Sequence, residues 1–214
     1  VGLIHLYLPQ GKDRKAMKEL QKLKKVAKNP EQAELTIIRL HASWEEYDKA
    51  IVRLEKFLRK HERSEARYLL AALQFQKGQY EKVLKSLESI GPEAKEYEDS
   101  CFLRVRVLKK LKRDKEAVQV LESALARKEG RTADLYILLA GIYQSVGQEE
   151  QCRKTFHRAL DAYPENEQVL YEYGLFQDYI GEQEAALESM KRIIVMNPDH
   201  AGALNYVGYT WADK

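Results

Sequence analysis

Residues 133–166 read ADLYILLAGIYQSVGQEEQCRKTFHRALDAYPEN, and the spacing within them decides the fold. Tyr136, Leu139, Ala140 and Tyr143 fall at i, i+3, i+4 and i+7, which is one face of a helix. Gly147 ends that helix, because glycine enters the left-handed conformation past a helix end without a Cβ penalty. A second stripe follows in Cys152, Phe156, Ala159 and Leu160, and Pro164 closes it, since its ring cannot continue the hydrogen-bond ladder. The stretch is a helical hairpin.

The pattern continues in both directions. In the register of Ala140 stand Ile4, Ile38, Ala71 and Val105 before it and Gly174 and Gly208 after it, at spacings of 33 to 35 residues. In the register of Cys152 stand Ala16, Ala50, Val83, Ala117 and Ala186. Small side chains suit both sets, the first where neighbouring helices cross and the second where the two helices of a hairpin approach most closely. Behind them, Leu20, Leu54, Leu87, Leu121, Phe156 and Met190 form one column of core residues. Leu23, Phe57, Ile90, Ala124, Ala159 and Ile193 form another.

These residues resemble the tetratricopeptide repeat, a 34-residue hairpin with Leu-Ala or Leu-Gly in its first helix, Gly at the turn, Ala early in the second helix and Pro at its end. The resemblance covers the whole chain. It implies an all-α fold, an alpha-solenoid of stacked antiparallel helical hairpins in a right-handed superhelix, with 1–214 as a single domain. The repeats fall at 1–30 (partial), 31–63, 64–97, 98–132, 133–166 and 167–200, with 201–214 opening a seventh. Two turns depart from the pattern: Glu45 and Lys112 stand where Gly is usual, so Trp44 and Tyr47 are expected to clamp the first by packing. Repeat 64–97 keeps Gly78 at its turn but breaks at Gly91-Pro92.

Composition narrows the function. The chain has 214 residues, 44% hydrophobic and 32% charged, with no apolar run of the roughly 18 residues that a membrane span needs. It begins at Val1 without an initiator Met, which suggests a fragment with uncapped ends. Leu204, Val207 and Trp211 are expected to pack on the preceding hairpin, and Leu3, Ile4, Leu6 and Tyr7 lack an earlier one. A homodimer through those ends is an expected consequence. Segment 203–213, ALNYVGYTWAD, is similar to bacterial multi-repeat proteins of this family, many of them exported or lipid-anchored. That likeness places the bacterial envelope or periplasm ahead of the cytoplasm.

No phosphate-binding Gly-rich loop, HExxH, CxxC or GxSxG is present, so no enzyme, metal or cofactor is expected. His5, His41, His61, His157 and His200 are scattered over several repeats, and no two occur at i, i+4. Cys101 and Cys152 fall on helix faces that should be buried and behave as small hydrophobes.

What remains is the concave face, which in this family is lined by first-helix residues one step round from the core stripe. The resemblance carries this onto Leu35, Arg39 and Ala42; Tyr68, Ala72 and Phe75; Phe102, Arg106 and Lys109; Ile137, Gly141 and Gln144; Tyr171, Leu175 and Asp178; and Asn205 and Tyr209, with Tyr179 adjoining. The expected partner-binding groove is Arg39, Tyr68, Phe75, Phe102, Arg106, Lys109, Tyr171, Tyr179 and Tyr209. Rings at such positions either wedge between successive first helices or present contact area to a partner. Some members of the family grip a C-terminal carboxylate with Lys, Asn and Arg. Leu35 with Arg39, Tyr68 with Ala72 and Phe102 with Arg106 do not reproduce that set. Charge is unevenly spread. Segment 11–28 carries eight Lys or Arg against Asp13 and Glu19, and 104–115 carries seven against Asp114. From 163 to 190 there are seven acidic residues and no Lys or Arg. The expected function is a non-catalytic protein–protein interaction scaffold that binds a peptide or partner protein in the groove. The alternative is nucleic-acid binding through 11–28 and 104–115.

Overall fold

The structure, a computed structural model, describes residues 29–127 and 132–212. Among these residues it is all-α, with eleven helices and no strand. In chain order they are α1 (Pro30–Ser43), α2 (Tyr47–Leu58), α3 (Ser64–Gln76), α4 (Tyr80–Leu87), α5 (Tyr97–Lys110), α6 (Asp114–Leu125), α7 (Ala133–Ser145), α8 (Glu149–Ala162), α9 (Glu167–Tyr179), α10 (Gln183–Met196) and α11 (Ala201–Ala212). Residues 1–28 of the first expected repeat, with the basic segment 11–28 and the apolar residues Leu3, Ile4, Leu6 and Tyr7, lie outside the described residues. Compactness divides the chain between Leu111 and Lys112.

In the first unit α1 packs on α2 and α3 on α4 as hairpins, and α2 packs on α3 and α4 on α5. Asn29 starts the first hairpin: its side-chain oxygen accepts the Gln32 N–H at 3.0 Å, and Pro30 follows at the first helical position, where no N–H is needed. The apolar stripes meet in two clusters. Ile38, Ala50, Leu54 and Phe57 belong to the first, and Ala71, Val83, Leu87 and Val107 to the second. α4 is only eight residues long. Ile90, beyond its end and just before Gly91-Pro92, still fills the core column at 4% exposure. Its N–H bonds the Leu87 carbonyl at 3.1 Å, so a turn carries on what the helix began.

In the second unit α7 packs on α8, α9 on α10 and α10 on α11, while α6 lies against α7. Asn166 caps α9 by accepting the Val169 N–H at 2.9 Å. Two ion pairs bind neighbouring hairpins. The Arg158 guanidinium donates to both Glu122 oxygens at 3.0 and 3.2 Å, and Arg153 donates to both Glu182 oxygens at 2.8 and 2.9 Å. The second pair holds the Glu182 carboxyl below the usual carboxylate range. Across both units, every described member of the Cys152 register and of the two core columns is buried. Ile38, Ala71, Val105, Ala140 and Gly174 are buried likewise, but Gly208 is exposed, with no atom within 4 Å of where a Cβ would stand. Cys101 and Cys152 are free and buried, and burial pushes the Cys152 thiol up to about 12.

Two sequence expectations are corrected here. Leu35 is 1% exposed and belongs to the α1–α3 core, because α1 buries residues over most of its circumference. Val207 packs inward with Ala203 one turn away, but Leu204 and Trp211 sit on another stripe of α11 and are 44% and 65% exposed.

The turns show the backbone demand directly. Gly78, Gly147 and Gly181 take φ of 68°, 72° and 84°, and Glu45 and Lys112 take 59° and 58°. At the first turn the Glu46 N–H bonds the His41 carbonyl at 2.9 Å and the Glu45 N–H bonds that of Ala42 at 3.0 Å, the paired closure of a glycine-ended helix built without glycine. Side chains close the turn as well. His41 Nδ1 lies 2.6 Å from Glu46 Oε2 across the turn, Trp44 packs edge-on to His41, and Tyr47 lies against the core. A left-handed L-residue costs about 1–2 kcal/mol, partly offset by the extra freedom glycine adds to the unfolded chain. Both side chains are exposed and little is lost with them. Glu45→Gly and Lys112→Gly should therefore each stabilise by about 0.5–1 kcal/mol in urea unfolding, while Gly78→Ala should destabilise by about 1 kcal/mol. Loss of stability with glycine at both positions would show that these turns carry no strain.

One polar pair recurs in the core. The Ser86 hydroxyl donates to Gln74 Oε1 at 2.8 Å between α3 and α4, and the Ser189 hydroxyl donates to Gln177 Oε1 at 2.8 Å between α9 and α10. Both glutamines are buried.

Candidate partner-binding surface

In the first unit, the first helices α1, α3 and α5 bring six of the expected groove residues to defined partners or surroundings. α3 touches α5, so side chains one step off the core stripe meet between them. The Arg106 guanidinium lies 4.7 Å from the centre of the Phe75 ring, a cation–aromatic contact, and Tyr80 packs on that ring at 5.7 Å. Tyr68 and Phe102 are half-buried. Burial, reinforced by the Asp99 carboxylate one turn before Phe102, raises the Tyr68 phenol above its ordinary range. Arg39 is exposed and pairs with Glu65 across α1 and α3. Lys109 is exposed on the last turn of α5. The rings of Tyr68, Phe75 and Phe102 are thus neither fully buried nor fully exposed on the first helices of this unit.

The second unit differs. Ile137 and Gln144 are half-buried, and Gly141 has open space where a Cβ would stand. Tyr171 wedges: its ring tip lies 2.8 Å from the position a Cβ would take on Gly202, and it packs on His200 at 5.2 Å. Tyr179 and Tyr209 stand out at 64% and 75% exposure, with Leu175 at 37%. Tyr206 joins the two helices, its hydroxyl donating to Asp178 Oδ1 at 2.8 Å. Burial and this bond push its phenol up to about 12. Sequence reasoning missed Tyr206, although its place one turn before Tyr209 and one after Gly202 puts it on the same stripe.

In the basic segment 104–115 the lysines Lys109, Lys110, Lys112 and Lys115 are exposed, while the arginines are engaged. Arg104 is half-buried and Arg106 covers Phe75, while beyond Leu111 the Arg113 guanidinium binds both oxygens of Glu116 at 2.6 Å. Among the described residues no three His, Cys, Asp or Glu are grouped to hold a metal ion.

Comparison with known proteins follows this geometry. Residues 133–166, the bounds read from sequence for one hairpin, match the family model described as tetratricopeptide repeat. Residues 43–124 match that of the anaphase-promoting complex, cyclosome, subunit 3. The TPR repeat-containing protein PA4667 of Pseudomonas aeruginosa is 26% identical over 133 residues, which are 62% of this chain and 22% of that protein. The chain therefore spans about a fifth of that relative's length. Among solved structures, the C-terminal part of a TPR repeat-containing protein from Cytophaga hutchinsonii aligns with a TM-score of 0.69 at 15% identity, covering 98% of this chain and 87% of that one. YrrB, described as a TPR protein with an unusual peptide-binding site, aligns at 0.56 with 20% identity, covering 87% and 96%.

Proposed function

Because the chain is a tetratricopeptide-repeat protein, a helical scaffold for protein–protein interaction, we propose that it is non-catalytic and binds a peptide or partner segment on its first-helix face, with repeats as bounded above. The observation that carries this reading is the set of half-open aromatic and Arg side chains on that face: Phe75 under Arg106, Tyr68 and Phe102 in the first unit, and Tyr171, Tyr179 and Tyr209 in the second. Arg39 and Lys109 flank the first set. Interface energy concentrates in such residues, with losses of about 2 kcal/mol or more on truncation.

The test is retention of partners by the immobilised chain from an extract of its host. A partner held by the unaltered chain should bind at least about tenfold more weakly to Phe102→Ala and Arg106→Ala. Unchanged retention by both variants, each folded by circular dichroism, would remove this face from consideration. Binding that instead collapses with salt in the linear logarithmic manner of phosphate contacts would point to nucleic acid through 104–115. The exposed Leu204 and Trp211 stripe of α11 supports self-association as a second reading, which sedimentation decides.

A further inference from the structure

We propose that the face shared by α9 and α11 takes a cationic peptide segment, its apolar side chains among Leu175, Tyr179 and Tyr209 and its Arg or Lys groups against Asp178 and Glu172. This rests on the partner-scaffold reading above and names the chemistry of what that scaffold holds. Two contacts establish that these residues share a side: Tyr171 against Gly202, and Tyr206 bonded to Asp178. On α9, Glu172, Leu175 and Tyr179 recur at i, i+3 and i+7, beside the stripe of Tyr171, Leu175 and Asp178. On α11, Tyr206 and Tyr209 are one turn apart.

The electrostatics select the sign of the guest. α9 carries Glu167, Glu172 and Asp178 and no cation, and α11 carries no charged residue at all. Asp178 is exposed and accepts from a neutral phenol, while Glu172 accepts from the Gln168 amide at 2.7 Å. Neither bond neutralises a carboxylate. Elsewhere in the same acidic segment Glu182 is neutralised by Arg153, whereas among the described residues no Lys or Arg pairs with Asp178 or Glu172. Open tyrosine rings beside unneutralised carboxylates offer a guanidinium or ammonium both a ring face and a counter-charge. An acidic guest meets repulsion, and a purely apolar one leaves the carboxylates without a partner.

The experiment uses the whole chain and three labelled synthetic peptides, identical except that the same positions carry Arg, Gln or Glu among Leu and Phe. Fluorescence anisotropy should rank them Arg, then Gln, then Glu, with about a tenfold preference for Arg over Gln at moderate salt. Asp178→Asn combined with Glu172→Gln should reduce that preference to about twofold. The asparagine still accepts from Tyr206, so the fold is kept and circular dichroism checks it. Tyr179→Ala with Tyr209→Ala should weaken the Arg and Gln peptides alike by about tenfold or more. Glu184→Gln with Glu188→Gln, exposed on α10, should leave all three within about twofold, which separates this face from the general acidity of the segment. Equal binding of the three peptides, still dependent on Tyr179 and Tyr209, overturns the charge assignment and leaves the scaffold reading standing. An Arg peptide that fails to bind, or that binds without regard to Asp178, Glu172, Tyr179 and Tyr209, overturns the proposal itself.

Discussion

Replacing Phe176 by Ala is expected to cost about 3–5 kcal/mol, the range for removing a buried aromatic ring from a core that only partly relaxes. Phe176 is 1% exposed and among the largest fully buried side chains. Its ring packs on Phe156 at 5.8 Å and on Tyr173 at 6.4 Å, and the Arg153 guanidinium sits 5.9 Å above it. Truncation opens a cavity that the facing rings cannot fill, and it strips the apolar floor from the arginine that binds Glu182. In a repeat fold, where stability is a sum of local and nearest-neighbour terms, the damage should stay near its source. Amides of α9 and α10 should exchange much faster, while those of α1 and α2 keep their protection. A loss below about 1 kcal/mol, or uniform deprotection of every helix, would contradict this account.

Gly174 and Gly208 occupy one register and should respond to a side chain with opposite sign. A Cβ on Gly174 would stand 2.8 Å from Met190 Cε and 3.3 Å from Ser189 Cβ, with the Ala186 carbonyl oxygen at 3.6 Å behind them. The Met190 end can swing away, but the α10 backbone cannot. Gly174→Leu should therefore cost about 1–3 kcal/mol by overpacking, despite its better helix propensity. Gly208 has nothing within 4 Å, so Gly208→Ala should return the roughly 0.5–1 kcal/mol that glycine forfeits inside a helix. Chemical denaturation reads both. Two changes of the same sign would mean that closeness of helix approach does not set the residue size in this register.

Much of the fold could be read in advance because repetition multiplies weak signals. One small residue such as Ala140 is ambiguous, but the series from Ile38 to Gly174 at near-constant spacing leaves a single helical period that fits, and the buried register follows from it. Positions a step away from the core stripe were less legible. Leu35 and Asn205 hold equivalent places in their hairpins, yet one is 1% exposed and the other stands open to solvent. Their exposure depends on which neighbouring helices pack there, which no local period encodes. Trp211 was misplaced for a related reason: hydrophobicity suggests burial, but its stripe of α11 is not the one that meets α10. Tyr206 escaped notice because its role depends on Asp178, 28 residues earlier. The turn at Glu45 shows the converse: a missing glycine was plain to see, while its compensation by His41 and Glu46 needed coordinates.

The recurring Gln and Ser pair has a meaning for assembly that packing alone does not supply. A chain of near-identical hairpins offers many almost equivalent mistakes, since any greasy stripe can settle against any other, or slide by a turn, with little change in apolar contact. The hydroxyls of Ser86 and Ser189 reach Gln74 and Gln177 only when each helix lies opposite its own partner in the correct axial alignment. A slipped or mismatched pairing strands a buried amide, a penalty of about 1–3 kcal/mol that the apolar stripe does not recover. Distributed along the chain, such pairs let indistinguishable modules tell their own partner helix from a stranger's, and they reject errors that hydrophobic collapse would tolerate.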